Sequence, residues 1–290
     1  VKNRRYANRL LANAALTVKP VEGLSVQIAA NVQNSQARSD HTRSLAYPNY
    51  DGAASIGFDE VVDITSNNII TYDKGFGRHH LNVMGGITYE QSVSKSADIK
   101  GLPTSSYSDW RMLSFLGRIN YNFDNRYLLT VNFRADGSSR YSKGNKWGYF
   151  PSGAVSWKLH NEPWMQKLNV FDEFKIRASW GLSGNQGISP YQTLNRYGTE
   201  KYWFADKWQT AIGPGYEAGR EGANDRYILW GGISNPDLRW ESTRQWNLGV
   251  DLAFFKRRLR VTMDYYDKYT TDLLREKYLP LSSGYDKMWV

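Results

Sequence analysis

The sequence contains no cysteine and only four histidines in 290 residues. A disulfide framework and a thiolate metal site are therefore excluded, although the lack of cysteine leaves the compartment open. No run of about 18 apolar residues occurs, which excludes a membrane-spanning helix. That absence is silent about a β-barrel, whose strands turn half of their side chains toward a polar lumen. The net charge is +9, but the basic residues form no dense block or helical stripe. They are spread over turns and polar strand faces, so nucleic acid is not an expected partner. The first residues, VKNRRYANRL, include neither an initiator methionine nor an apolar signal-type segment, and the last follow a turn-like LSSGYD. Both ends read as cut, and the expectation is a piece of a longer protein.

What the sequence does have is aromatic side chains and glycine: 11 Trp, 20 Tyr, 11 Phe and 25 Gly. Aromatic residues suit a pleated surface and glycine suits tight bends, so the expected class is all-β. A hydrophobic content of 41% is that of a folded chain rather than a disordered one.

Alternation locates the strands. Leu10, Ala12, Ala14, Leu16 and Val18 share one face, and after KPVEG the pattern resumes at Leu24, Val26, Ile28, Ala30 and Val32. A polar stretch from Asn34 to Ser66 is expected to be a connection, followed by a strand near Asn68 to Lys74, the turn GFGRHH, and a strand through Leu81 to Tyr89. Further strands run through Leu113 to Phe123, Tyr127 to Arg134, Gly153 to His160, Phe174 to Trp180, Ser242 to Leu252 and Leu259 to Tyr265. This predicts about ten strands of about ten residues, with short turns alternating with long connections. Consecutive up-and-down strands put those two kinds of connection at opposite ends, the pattern of an outer-membrane barrel with long loops outside. Tyr127, Trp157, Trp180, Trp240 and Tyr265 lie near strand ends and are candidates for interfacial girdles. In the strand LRVTMDYY, Leu259, Val261, Met263 and Tyr265 are expected to meet lipid, and Arg260, Thr262, Asp264 and Tyr266 the lumen.

RYLLTVNFRADGSSRYSKGNKWGYFPSGAVSWKLHNEPWM and FDEFKIRASWGLSGNQGISPYQ, with ISNPDLRWESTRQWNLGVDLAFFKRRLRVTMDYYDKYTTDLL further on, carry a specific resemblance. Together with YDKGFGRHHLNVMGGITYEQS, they resemble the barrel of the SusC/RagA family of TonB-dependent outer-membrane transporters of Bacteroidota. The likeness spans most of 68–274 and is weakest over the first 60 residues. It implies part of a barrel of about twenty-two antiparallel transmembrane strands, with the plug domain absent from these residues. It also implies import of oligosaccharides or, in some members, peptides, with a SusD-like surface lipoprotein as lid and the TonB–ExbB–ExbD complex engaged through regions outside this sequence. Location in the bacterial outer membrane, amid its lipid, follows from the same resemblance.

Enzymatic alternatives have little to stand on. Asp172 and Glu173 are adjacent, so on an extended strand they diverge, and His79 and His80 do the same without a third ligand at a recognised spacing. ADGSSRYSKGNKWG lacks the strand-to-helix setting of a phosphate loop. Neither a catalytic residue, a metal ligand nor a cofactor is assigned, and the expectation is that the protein is not an enzyme. The alternative reading is a secreted β-rich carbohydrate-binding or glycan-hydrolysing module. Most informative is the segment 182–238, expected to be a long extracellular loop, in which Tyr202, Trp203, Trp208, Tyr216 and Trp230 lie among polar residues. Flat amphipathic rings suit a sugar or a protein lid, and equally suit packing of the loop on itself.

Overall fold

In a computed structural model, the structure describes residues 2–43, 53–100, 102–168, 170–194, 197–214, 220–221, 228–283 and 285–290. The strands are β1 (Lys2–Val21), β2 (Leu24–Arg43), β3 (Ala53–Phe76), β4 (His79–Lys100), β5 (Leu102–Phe123), β6 (Tyr127–Ser138), β7 (Trp147–Lys158) and β8 (Glu173–Asn185). There follow β9 (Tyr197–Phe204), β10 (Lys207–Pro214), β11 (Arg220–Glu221), β12 (Ile228–Ile233), β13 (Glu241–Phe254), β14 (Leu259–Thr271), β15 (Glu276–Tyr278) and β16 (Tyr285–Trp289). A six-residue helix, α1 (Pro163–Leu168), lies between β7 and β8. β1 to β8, β13 and β14 are hydrogen-bonded in sequence order into a ten-stranded antiparallel sheet, while β9 pairs with β10 and β11, β12, β16 and β15 form a small separate sheet. The all-β class and the expected number of main strands therefore hold.

Strand length differs from expectation. The ten strands of the sheet run from 12 to 24 residues, and the polar stretch read as a connection from Asn34 to Ser66 is mostly strand, since β2 continues to Arg43 and β3 begins at Ala53. Alternation of apolar residues fades there because both faces become polar, yet extension continues on cross-strand polar pairs. Arg9 donates to Gln33 at 2.6 Å and Gln36 to Glu60 at 3.1 Å. Such pairs stabilise a ladder without any apolar side chain.

The chain divides into two compact units, Val1–Tyr72 with Met84–Phe115 and Asp73–Val83 with Leu116–Val290. In the first, β1 pairs with β2 from Lys2↔Thr42 to Val21↔Leu24, and β2 with β3 from Leu24↔Tyr72 to Arg43↔Ala53. This register puts Leu16, Ile28 and Ile70 on one face, all at least half or nearly half exposed. In the second unit the short turns are tight: Asp124 and Asn125 take left-handed φ of 52° each, a conformation that short polar side chains tolerate. Exposed apolar residues again mark one face, with Leu129 opposite Val155, Tyr127 opposite Trp157, and Leu248 opposite Ala178 and Tyr265. The opposite face is polar: Asn132 donates to Ser152 at 3.2 Å, Asn247 to Ser179 at 3.2 Å, and Arg177 bridges Asp251 and Asp264 at 2.9 Å each. Gly249 makes that bridge possible, because a Cβ there would lie 2.6 Å from the Asp264 carboxylate. Register places Leu259, Val261, Met263 and Tyr265 on the face of Phe254, Leu252, Val250 and Leu248, and Thr262 and Asp264 on the face of Asp251 and Gly249.

Candidate functional site

The connections at the two ends of the second unit are built differently. At the short-turn end, rings line up along the apolar face: Phe76 stacks on His79 at 5.5 Å, His79 lies 4.8 Å from Phe123, Phe123 6.3 Å from Tyr127, and Tyr127 6.1 Å from Trp157. Polar groups hold the row from below. Trp157 Nε1 donates to Glu162 at 3.0 Å, Arg126 donates to the same carboxylate at 3.2 Å, and Arg78 pairs with Asp124. The indole and Tyr127 hydrogen bonds, with Arg126, hold the Glu162 carboxyl below the usual carboxylate range. His79 bonds Tyr121 and His80 bonds Asp73, while Asp172 accepts from the backbone of Arg257 and Glu173 opens β8. Tyr127 and Trp157 thus stand where an interfacial girdle needs them.

At the other end the sequence folds back into a small core. Residues 139–146, between β6 and β7, close on a hydrogen bond from Ser138 N to the Lys146 carbonyl at 3.0 Å. Arg140 reaches across to the carbonyls of Gln186 and Ile188, at 3.2 and 2.8 Å, and its own carbonyl accepts from the Thr193 hydroxyl at 3.0 Å. Tyr141 is 1% exposed and its ring lies 5.4 Å from Trp240, whose indole donates to the Lys146 carbonyl at 3.0 Å and whose other side meets Phe150 edge-on at 5.5 Å. Burial pushes the Tyr141 phenol upward and the Arg140 guanidinium downward from their ordinary values. Gly148 and Gly184 lie against the Phe150 ring, where any Cβ would overlap it. Ile188 and Leu238 complete the core, both buried. Trp240 is accordingly not a girdle residue as the sequence suggested: its place near a strand end puts it inside this core instead of on the apolar face.

This core is the base of the connection between β8 and β13. That connection covers 186–240, the first four residues of 182–238 belonging to β8. Asn235 ties its far end, donating from its backbone to the Gln192 carbonyl at 3.3 Å and from its side chain to Trp289 O at 2.9 Å. Further along the connection, β9 and β10 make a hairpin in which Trp203 and Trp208 occupy one register position and Tyr202 pairs with Gln209. Trp230 sits on β12, in parallel register with Tyr285, and β12 approaches both β9 and β10. Tyr216 lies outside the described residues. The backbone therefore brings Trp203 and Trp208 together and places Trp230 on a neighbouring element.

The sequence reading passed over a second polar surface. On the polar sheet face, a groove of about 330 Å³ is lined by Asn132, Ser152, Ser179, Gln245 and Asn247. Its signal in the sequence is the spacing of small polar residues two apart, which reads equally as a solvated strand face.

Comparison with known proteins agrees with this geometry. The family model for the TonB dependent receptor-like β-barrel matches residues 3–286. TonB-dependent receptor P3 of Formosa agariphila is 30% identical over 305 aligned positions, covering 97% of this chain and 29% of that protein. TonB-dependent receptor SusC of Bacteroides thetaiotaomicron is 30% identical over 247 positions, covering 77% of this chain and 23% of that protein. Among solved structures, the RagAB peptide transporter superposes with a TM-score of 0.84 at 21% identity, covering 99% of this chain and 33% of that one. The chain thus spans less than a third of the length of these two receptors.

Proposed function

The chain belongs to the TonB-dependent receptor-like β-barrel family, whose members are outer-membrane receptors and not enzymes, and we propose that the complete protein imports an oligosaccharide with a SusD-like surface lipoprotein as its lid. The secreted-hydrolase alternative falls with that membership. Energy for uptake would come from the TonB–ExbB–ExbD complex acting on parts of the protein outside this chain. In this reading the connection 186–240 faces outward, where substrate and lid arrive, and the polar groove beside Asn132 and Asn247 lines the path inward.

The observation that carries the proposal is the anchored aromatic hairpin. A connection of this length needs a firm base before it can present a surface, and the Tyr141–Trp240 core supplies one. On it, Trp203 and Trp208 are register partners, with Trp230 on an adjoining strand. Aromatic faces interleaved with Asn, Gln and Lys suit the apolar faces and hydroxyls of sugar rings. The test is a full-length variant carrying Trp203→Ala, Trp208→Ala and Trp230→Ala. Uptake of oligosaccharide, or recovery of the lid lipoprotein on purification, should fall at least tenfold while the amount of barrel at the cell surface stays normal. Unchanged uptake and unchanged lid recovery would leave these rings to packing of the loop. A drop in peptide uptake instead would move the substrate class to peptides.

A further inference from the structure

The apolar face of the first unit ends in a patch that an apolar membrane interior does not explain. Read upward from the short turn, its cross-strand rows are Leu24–Tyr72, Val18–Val26–Ile70, Leu16–Ile28–Asn68, Ala14–Ala30–Ser66 and Ala12–Val32–Ile64, and then Leu10–Asn34–Val62. From Leu24 to Asn34 the chain rises about 34 Å, or about 26 Å in height at a tilt near 40°, which matches the lipid-facing band of about 25 Å on outer-membrane barrels. The composition then changes abruptly. The next rows are Asn8–Gln36–Glu60, Tyr6–Arg38–Phe58 and Arg4–Asp40–Ile56, centred about 10 Å above the end of the band.

The first two of these rows line a groove of about 540 Å³ that also takes in Asp59 and Lys95. Arg38 is held in it from two sides: its Nε donates to Asp40 at 2.7 Å and its guanidinium lies 5.5 Å from the centre of the Phe58 ring. The terminal guanidinium nitrogens point to no partner among the described residues. Lys95 lies 3.7 Å from Glu60, close enough to be drawn toward the groove and too far for a strong hydrogen bond. Tyr6 and Phe58 are about half exposed. Arg38 and Lys95 in the groove face Asp59 and Glu60, the row of Arg4 and Asp40 lies just above, and the apolar band continues directly beneath.

We infer that this groove holds the phosphorylated sugar headgroup of an outer-leaflet glycolipid of lipid A type, with acyl chains lying down the rows of Val32, Ile64 and Ile28. The fit combines three requirements on one surface: apolar area for the chains, a guanidinium presented for a phosphate, and ring faces flanking it for a sugar. Arg is the side chain suited to that task, because its planar fork matches two phosphate oxygens while it stacks on an aromatic ring. The inference rests on the long connections facing outward, as proposed above; the short-turn end then meets the inner leaflet.

The full-length protein, purified in mild detergent and stripped of lipid, should bind diphosphoryl lipid A in native mass spectrometry at least five times more than its dephosphorylated form or phosphatidylethanolamine. The Arg4→Gln, Arg38→Gln, Lys95→Gln variant should lose that preference. Should it fail to assemble, Arg38→Gln alone should at least halve retention. Equal binding of the three lipids, full retention by either variant, or loss of a co-purifying protein in place of lipid would overturn the inference. Orientation is read separately, from Glu22→Cys in a background without other cysteines. Protection of that thiol from an impermeant maleimide on intact cells is expected, and its labelling would overturn both the outward loop and the outer-leaflet site.

Discussion

The two ends of the second unit use the same residue types for opposite purposes. At the short-turn end, Phe76, His79, Phe123, Tyr127 and Trp157 form a single row along the sheet, and Tyr127 and Trp157 remain 44% and 37% exposed. At the long-connection end, Tyr141, Phe150 and Trp240 meet in three dimensions and are exposed by less than a tenth. Connection length makes the difference. A turn of three residues such as 124–126 can only carry the sheet's own face to its edge, whereas 139–146 and 186–240 are long enough to fold over the strand ends and bury rings between them. Aromatic content alone does not say which: a ring becomes a core residue when a second layer of chain can reach it.

The comparison breaks most sharply at Trp240. Removing a buried indole costs about 3–5 kcal/mol of local stability, and the Lys146 carbonyl loses one of its two donors as well, keeping the Ser138 N–H. Trp240→Ala in the full-length protein should therefore make 186–240 readily cut by an added protease, while heat-modifiable migration of the barrel is retained. Trp157→Ala at the other end should leave 186–240 uncut, because its ring is 37% exposed and its stacking on Tyr127, worth about 0.5–1.5 kcal/mol beyond buried area, and its bond to Glu162 both lie at the short-turn end. Equal protease resistance of the two variants would show that the long-connection end has no core of its own.

Much of this was legible beforehand. Alternation located every one of the ten sheet strands, and the positions of the short turns followed from GFGRHH, DNR and FFKRR. Strand ends were not legible above the apolar band, since Gln33 bonds Asp63 and Gln36 bonds Glu60 across the ladder without an apolar signature. The rim core was illegible for another reason. Its members come from DGSSRY, KWGYF, GNQGIS and DLRW, segments far apart in the chain, with 94 residues from Lys146 to Trp240, and nothing local in any of them announces the others. Gly148 and Gly184 read as turn residues in the sequence, but in the structure they are floor for the Phe150 ring. At the candidate site, the reading found the aromatic segment and missed the polar groove, because Asn and Ser two apart look the same whether they line a lumen or face water.

A smaller effect sharpens the depth scale of the apolar face. Leu248 is 54% exposed near the middle of its band, between Ala178 and Tyr265, so Leu248→Arg should cost about 2–4 kcal/mol in a urea titration in lipid bilayers. Val261 lies on the same face, but it stands two residues from the start of β14 and opposite Leu252. Near an interface the same charge costs about 0–1 kcal/mol, so Val261→Arg should be mild, and Thr262→Arg on the polar face tolerated. An equal penalty for Leu248→Arg and Thr262→Arg would show the faces to be assigned the wrong way round.

The mildest test is of what holds the short-turn row in place. Glu162 accepts from Trp157 first, then from Tyr127, and lies beside Arg126, all of which favour its ionised form over the opposing effect of burial. A carboxyl with a depressed folded value contributes stability above its unfolded pKa, about 4.3 for Glu, and loses that contribution as pH falls through the folded value. The native protein should thus exceed Glu162→Gln in melting temperature at pH 7, hold that lead down to about pH 5, and lose it below about pH 4. The amide keeps one acceptor oxygen for the indole but no longer carries the charge that attracts Arg126. A melting-temperature gap that is unchanged between pH 7 and pH 3.5 would mean that Glu162 holds the row by shape and not by charge, and the contrast between the two ends would then rest on packing alone.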